Sequence, residues 1–228
     1  THQGRDALVR ILRPHLGGAQ VVGLPAVLGI SRSHQVFRAL QGSLGVSVFE
    51  IPTMLPAVAG QRLRDGFERE LRPKGVRVFN QWKVFPVPAV SRDGIVTLVG
   101  RQAPEMRVRA RAAVLASGRF FGRGLHADRD GIRETIFDLP VFQPSHRSLW
   151  HRKHLFDAAG HPIHRAGLAV DDHQRPCDAR GNLVSPHLFA AGSILAHQDW
   201  MRQKCGSGLA IASAYAAVRA ARVLLETP

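Results

Sequence analysis

Two segments of this chain share one form: a short, wholly apolar run that stops at glycine. Ala112-Ala113-Val114-Leu115-Ala116 leads into Ser117-Gly118, and Leu188-Phe189-Ala190-Ala191 leads into Gly192-Ser193. A continuous apolar run of this length reads as a strand covered on both faces, the habit of a parallel sheet. Small residues at the carboxyl end of such a strand let the backbone approach a ligand in the crevice of an α/β sheet. The second run is followed by Cys205-Gly206-Ser207-Gly208-Leu209 and an Ala-rich stretch that predicts a helix over 207–225. Gly206 and Gly208 leave N–H groups uncovered at the start of that helix, and Ser207 can cap it. Bare N–H groups and the helix dipole attract an anion or an electron-rich carbonyl. An ordinary strand exit and an ordinary helix cap would explain either part alone. The combination of strand, glycine, loop, Gly-x-Gly and helix is more specific.

The rest of the chain supports an α/β class. Helices are predicted over 5–16 and 33–44, the second stopped by Gly45. Strands are predicted over 21–25 (short and buried) and 46–51, so the first 51 residues alternate β and α as a parallel sheet requires. A third helix, 55–71, has Val58, Leu63, Phe67 and Leu71 on one face. Val76–Phe79 reads as a strand. Residues 83–90 and 95–99 read as strands around Ser91-Arg92-Asp93-Gly94, since Asp-Gly signals a hairpin turn. Residues 106–110 alternate apolar residues with Arg. Residues 119–165 are irregular and rich in His and Arg, as expected of an exposed excursion or cap. Gly167–Val170 and Leu188–Ala191 read as two further strands.

Composition removes several classes. A chain of 228 residues, 45% hydrophobic, is long enough to bury one or two cores, which excludes a disordered tail. Two cysteines, Cys177 and Cys205, cannot build a disulfide scaffold or a four-cysteine zinc or iron–sulfur site, and they suit a reducing, cytosolic compartment. The formal charge of +14 comes from 31 basic and 17 acidic residues, and only four of the basic ones are lysine. Arginine-preferring codon usage explains this as well as function does. The functional readings are an anionic membrane surface, an acidic partner subunit or a phosphorylated ligand. The arginines are scattered, with no zinc finger, RNP motif or basic helix, so nucleic acid is not an expected partner. No apolar run reaches the ~18–20 residues of a spanning helix, and the N-terminus carries no signal-peptide core.

Nine histidines lie between 126 and 197. The run His151–His164 contains no HExxH and only Asp157 as a carboxylate, so a solvated face is expected there and no metal. A G-x-G-x-x-G is absent, because Gly118, Gly122 and Gly124 have the wrong spacing. Walker A and G-x-S-x-G motifs are absent too.

Val114-Leu115-Ala116-Ser117-Gly118, followed by Phe120-Phe121-Gly122-Arg123-Gly124-Leu125 and then Asp130-Gly131-Ile132-Arg133-Glu134, resembles the B-type subunit of the bacterial anaerobic glycerol-3-phosphate dehydrogenase. So do Ile51-Pro52-Thr53-Met54-Leu55-Pro56 with Gly60-Gln61-Arg62-Leu63, and Leu188–Ser193 with Gly206-Ser207-Gly208. Order and spacing agree over most of the chain, and 115–134 is the most specific part. The resemblance implies a flavoprotein of the fumarate-reductase-like group. Its members begin with a strand and Gly-rich turn that have no counterpart here, so the chain is expected to match the C-terminal half to two-thirds of one. It also implies a flavin cofactor, FMN or FAD, and a complex that oxidises sn-glycerol 3-phosphate to dihydroxyacetone phosphate and passes electrons toward quinone. The sister subunits implied are a catalytic flavoprotein and an iron–sulfur subunit. The expected place is cytoplasmic, peripheral to the inner face of the cell membrane. One departure is Gly192-Ser193, where flavoproteins carry Gly-Asp or Gly-Glu.

The expected fold is therefore α/β, a partial FAD/NAD(P)-binding-type (Rossmann-like) flavoprotein fold with an inserted substrate or cap region. Residues 55–118 and 166–228 form the flavin-binding part, 1–54 a substrate or cap region, and 119–165 a cap excursion. The expected flavin contacts are Ser117, Gly118, Gly192, Ser193, Gly206, Ser207, Gly208 and Leu209. Arg119 and Arg133 are candidates for an anionic group of a small-molecule substrate, because Arg forks suit phosphate. No general base is evident. Two other readings stand beside this one: a non-catalytic membrane-docking or assembly subunit that keeps the fold, and another flavin oxidoreductase of the same fold.

Overall fold

The computed structural model describes residues 2–54, 57–85, 96–101 and 105–226. Packing divides the chain into two compact units, 1–80 and 81–228. The boundary at 80/81 falls inside the segment 55–118; the flavin-binding and cap assignments concern ligand contact and stay proposals.

The first unit opens with α1 (His2–Leu12), continued by a 3-10 turn at Arg13–His15. A βαβ unit follows. β1 (Val21–Pro25) pairs in parallel with β2 (Ser47–Ile51), and α2 (Ser33–Leu44) is the crossover. Gly45 ends α2 at φ 71°, a left-handed cap that glycine takes without strain. Leu24, Leu28, Leu40, Leu44 and Val48 form the core, with Leu8, Leu12 and Phe37 packed on it. The strand at 21–25 is thus present but not buried as expected, because of its residues only Leu24 is. α3 (Val58–Leu71) buries no residue, and its expected apolar face leaves Leu63 and Phe67 exposed. Residues 76–79 form no strand, and Val76, Val78 and Phe79 are exposed.

The second unit is built from short strands. β3 (Lys83–Phe85), β4 (Val96–Arg101) and β5 (Glu105–Ala110) form an antiparallel sheet. The expected turn Ser91-Arg92-Asp93-Gly94 lies outside the described residues. β6 (Ala113–Leu115) pairs in parallel with β9 (Leu188–Ala190). β7 (Leu125–Ala127) and β8 (Ile132–Glu134) make a hairpin. α4 (Trp200–Gln203) and α5 (Gly206–Glu226) close the chain.

β9 is covered on both faces, as expected. Leu188 and Ala190 join the main core, while Phe189 and Ala191 pack against Ala217 and Ala221 of α5. β6 is not, since Val114 is exposed. The excursion 119–165 differs from expectation in part. It is exposed over much of its length, 151–156 included, but also supplies Leu125, Ile132, Phe137, Leu139, Trp150 and Ile163 to the main core. Gly167–Val170 makes only isolated bridges, to Phe142, Leu195 and Pro176.

α5 corrects the expectation about membrane spans. Its 21 residues are long and apolar enough to cross a membrane by length and composition alone, and most of its surface is not buried. Ile211, Tyr215, Val218 and Val223 are exposed. Among the described residues it is the one such helix.

Candidate functional site

The parallel pairing of β6 and β9 brings the two apolar-run-then-glycine segments together. Leu115 faces Ala190 in the register, and the Ala191 N–H donates to the Leu115 carbonyl at 3.0 Å. Both strands therefore end side by side, with Ser117-Gly118 next to Gly192-Ser193. A Cβ on Gly118 would stand 3.5 Å from Ser193 Oγ. Gly118 and Gly192 have φ of 73° and 79°, which favours glycine at both strand exits. The Gly192 N–H donates to Ser213 Oγ at 2.8 Å, and Ser213 Oγ donates to the Leu209 carbonyl at 2.6 Å. Ser213 thus pins the second strand exit to α5, a link with no local sequence signal.

α5 begins at Gly206, so Ser207 lies inside its first turn and does not cap it. Gly208 precedes Ser213 by five residues, about 7 Å along the axis. Gly206 and Gly208 face open space, with no heavy atom within 4 Å of where a Cβ would stand, and neither has positive φ. Leu209 is used otherwise: its N–H donates to the Cys205 carbonyl and its side chain packs on the main core. The structure therefore joins Ser117, Gly118, Gly192 and Ser193 in one crevice. It places Gly206, Ser207 and Gly208 at the open end of α5.

The loop after β6 is folded tightly on itself. A Cβ on Gly122 would overlap the Ser117 carbonyl, and one on Gly124 the Gly118 carbonyl. The GRFFGRG spacing thus records backbone packed on backbone. This loop exposes Phe120 and Phe121. With Gly118, Ser193, His151, Ile163 and His164 they line a cavity of about 690 Å³.

Arg119 is a correction. Its buried guanidinium donates to the carbonyls of Ser193 at 2.7 Å, Leu195 at 3.0 Å, Gln198 at 3.2 Å and His164. Four of its five N–H groups brace the loops behind the crevice, so no bidentate fork remains for a substrate anion. Burial lowers its pKa from the ordinary arginine value and the charge of Asp199 opposes this; the group stays cationic. Arg133 is exposed on β8, opposite His126, and keeps its candidacy.

The histidine run is a solvated face only in part, since His151 and His154 are exposed and the His161–His164 end is not. His161 is buried, and its ring meets those of His151 and His164 at right-angled packing distances of 5.3 Å. His164 Nδ1 lies 3.5 Å from Asp199 Oδ1. Desolvation lowers the His164 pKa from its ordinary value, Asp199 opposes this, and His161, His151 and Arg119 lower it further. Among the described residues no group of three His, Cys, Asp or Glu side chains is placed to hold a metal. Sequence spacing could not pair His164 with Asp199, because the partner comes from a different loop.

The crevice fits a flavin. Ser193 lines the cavity, and at the neighbouring strand end Ser117 Oγ is buried with no hydrogen-bond partner among the described residues. Gly192 leaves its surroundings open beside it. A hydrogen-bonding hydroxyl and bare backbone at the carboxyl ends of parallel strands suit a planar, polar-edged ring system.

Comparison with known proteins agrees. The FAD binding domain family matches residues 1–209. The chain is 28% identical over 224 residues to the B-type subunit of an anaerobic glycerol-3-phosphate dehydrogenase from Vibrio vulnificus, covering 98% of this chain and 51% of that protein. It is 34% identical over 217 residues to a probable B-type subunit of the same kind from Halobacterium salinarum, covering 95% and 50%. The corresponding B-type subunit from Yersinia pestis is 33% identical over 196 residues, 86% of this chain and 45% of that one. The chain thus spans about half the length of the curated relatives it matches. No solved structure matches it. The resemblance to the B-type subunit is borne out, as are the α/β flavoprotein class and the flavin, which the family identifies as FAD. With the family matching nearly its whole length, this chain belongs to the FAD binding domain family.

Proposed function

We propose that this chain is the flavin-holding part of a dehydrogenase subunit that oxidises sn-glycerol 3-phosphate to dihydroxyacetone phosphate. The observation that carries the reading is the crevice of Ser117-Gly118 and Gly192-Ser193, opening on the cavity lined by His151 and His164. The names of the relatives supply the substrate. Bound flavin would accept the two electrons released by the alcohol carbon. The protein's part is to hold and orient. The Ser193 hydroxyl on the cavity wall offers a hydrogen bond, the glycines admit the ring system to the backbone, and Phe120 and Phe121 line the cavity.

Electrons then pass to membrane quinone through sister subunits, a second flavoprotein and an iron–sulfur protein. The charge of +14 supports attachment to the anionic inner face of the cell membrane from the cytoplasmic side. The same charge favours a second reading, a docking subunit that holds flavin without turning over. The test is anaerobic addition of sn-glycerol 3-phosphate to the assembled flavin-loaded complex. Loss of the flavin absorbance band of this subunit is expected. A band unchanged while the sister flavoprotein is reduced would overturn the catalytic reading in favour of docking.

A further inference from the structure

We propose that His164 and Asp199 form a proton-accepting pair on the wall of the cavity, in which His164 Nε2 takes the hydroxyl proton of an alcohol substrate and Asp199 positions the ring through Nδ1. This rests on the dehydrogenase reading above and deepens it.

The pair is built rather than incidental. His164 lines the same cavity as Gly118 and Ser193. Its Nδ1 is buried and makes no hydrogen bond among the described residues, and Asp199 Oδ1 lies 3.5 Å from it. Asp199 is buried too, and its Oδ1 accepts the Arg202 N–H at 3.3 Å. Gly160, at φ 71°, makes room for it: a Cβ there would meet Asp199 Oδ2 at 2.5 Å. The backbone of His164 is held on both sides. Its N–H donates to the His161 carbonyl at 2.9 Å, and its own carbonyl accepts from Arg119.

The neighbouring histidines do not compete. His161 Nδ1 accepts the Arg152 N–H at 3.0 Å, and Nε2 lies 2.9 Å from the Leu155 carbonyl, so both its nitrogens are used. His151 is exposed and has an aromatic contact to His161. Among the described residues, His164 is the cavity histidine with a carboxylate facing its ring.

A proton on Nδ1, facing the carboxylate, leaves the lone pair on Nε2. In the oxidation the alcohol O–H proton moves to Nε2. The carbon–hydrogen bond breaks as the hydrogen leaves with its electron pair, a hydride that bound flavin would accept as the two-electron oxidant. The C–O bond becomes C=O, and the imidazolium returns its proton to water. The groups facing His164 are Asp199, which favours the charged ring, and His161, His151 and Arg119, which with burial oppose it. The net direction keeps the ring neutral at pH 7, the state that accepts a proton.

Two measurements on the flavin-loaded full-length protein test the pair. The first is the nitrogen-15 NMR spectrum of labelled histidine. His164 is expected as the Nδ1–H tautomer, and Asp199→Asn should remove that preference. An Nε2–H tautomer in the wild type overturns the pair whatever the substrate is. The second is the rate of flavin reduction by sn-glycerol 3-phosphate. His164→Gln with full flavin content should be slower by about 10²–10⁴-fold. In Asp199→Asn the acid limb of the rate profile should move to lower pH, because the carboxylate that raised the ring's pKa is gone. His164→Gln reduced at the wild-type rate would overturn the proposal. A wild type that sn-glycerol 3-phosphate does not reduce would instead refute the substrate reading, and the tautomer and its dependence on Asp199 would still decide the pair.

Discussion

Residues 1–80 and 81–228 reach order by different means. The first unit uses periodic elements: a helix crossing between two parallel strands, a left-handed glycine at the helix end and a leucine core. The second has strands of three to six residues and is held by side chains that bond to backbone. Arg119 gathers four carbonyls. The buried Glu134 carboxylate accepts the N–H groups of Ile136, Phe137 and Leu139 at 2.7–3.4 Å. Gln143 accepts the Ile132 N–H and donates to the Ile132 carbonyl. Where repetitive hydrogen bonding is short, buried polar side chains must satisfy the loop backbone. That is also where the candidate site lies, since loops held by such braces can place unlike groups side by side.

The largest expected effect follows from this difference. Arg119→Met keeps the bulk of the side chain and removes four donors. Gln198 Nε2 still reaches the carbonyls of Ser193 and Leu195 at 3.2 Å, but those of His164 and Gln198 lose this donor. Unsatisfied buried groups cost about 1–3 kcal/mol each, so a loss of about 3 kcal/mol is expected. All three tryptophans, Trp82, Trp150 and Trp200, belong to the second unit, so denaturant unfolding followed by tryptophan fluorescence reads it directly. A midpoint equal to the wild type would mean the brace is replaceable and the contrast between the units weaker than drawn.

The same contrast explains what could be read from the sequence. The helix at 33–44, its glycine stop and the flanking strands follow from spacing a few residues long, and they appear where expected. So do the strands of the two apolar-run-then-glycine segments, because each is a local pattern, whereas their pairing with each other is a finding of the structure. Val76–Phe79 carries strand-forming residues but gains no partner strand, and Gly167–Val170 gains only bridges, because pairing depends on what arrives from elsewhere in the chain. The role of Arg119 was illegible for the same reason. Its acceptors are 45 to 79 residues away, and an arginine after a strand-end glycine looks alike whether it meets a phosphate or carbonyls. His164 and Asp199 are a third case, two ordinary residues made a pair by loops.

A smaller effect is expected in the first unit, where a polar brace ties α3 to β2. Glu50 on β2 accepts two N–H groups of Arg62 from α3 and the Leu28 N–H at 3.0 Å, and Arg62 also donates to the Gly29 carbonyl at 2.7 Å. The hydrogen bond from Arg62 lowers the Glu50 pKa most, burial opposes it, and the Leu28 N–H adds to the lowering. A carboxylate depressed on folding stabilises above the ordinary glutamate range, and that stability is lost as pH falls through the depressed folded value. Glu50→Gln should cost about 1 kcal/mol at pH 7, since the pair is only partly buried, and should flatten the acid loss. The readout is the far-UV circular dichroism melt at pH 7 and below pH 4. An equal acid loss in the variant would assign it to other carboxylates.

The smallest effect on stability, and the sharpest on ligand, is expected at Gly208. Positive φ would have made any side chain there costly, but the residue is helical and nothing lies within 4 Å of the Cβ position. Valine has a better helix propensity than glycine by a few tenths of a kcal/mol, so Gly208→Val should leave the flavin-free melting temperature unchanged or slightly raised. The open space has a second meaning if the first turn of α5 faces the cofactor. Its N–H groups sit about 7 Å along the axis from Ser213, which bonds to the strand exit at Gly192. A branched side chain would then stand where the ring system approaches, and flavin per chain should fall while the apo protein melts as before. A helix start that merely points to solvent predicts no change in either quantity. The two measurements, flavin content and apo melting temperature, therefore separate the readings without any assay of turnover. Full flavin occupancy in Gly208→Val would remove Gly206, Ser207 and Gly208 from the cofactor site and leave it to the crevice between β6 and β9. Lost occupancy at constant apo stability would extend the site onto α5, joining the second unit's one long regular helix to the loops that its polar braces hold in place.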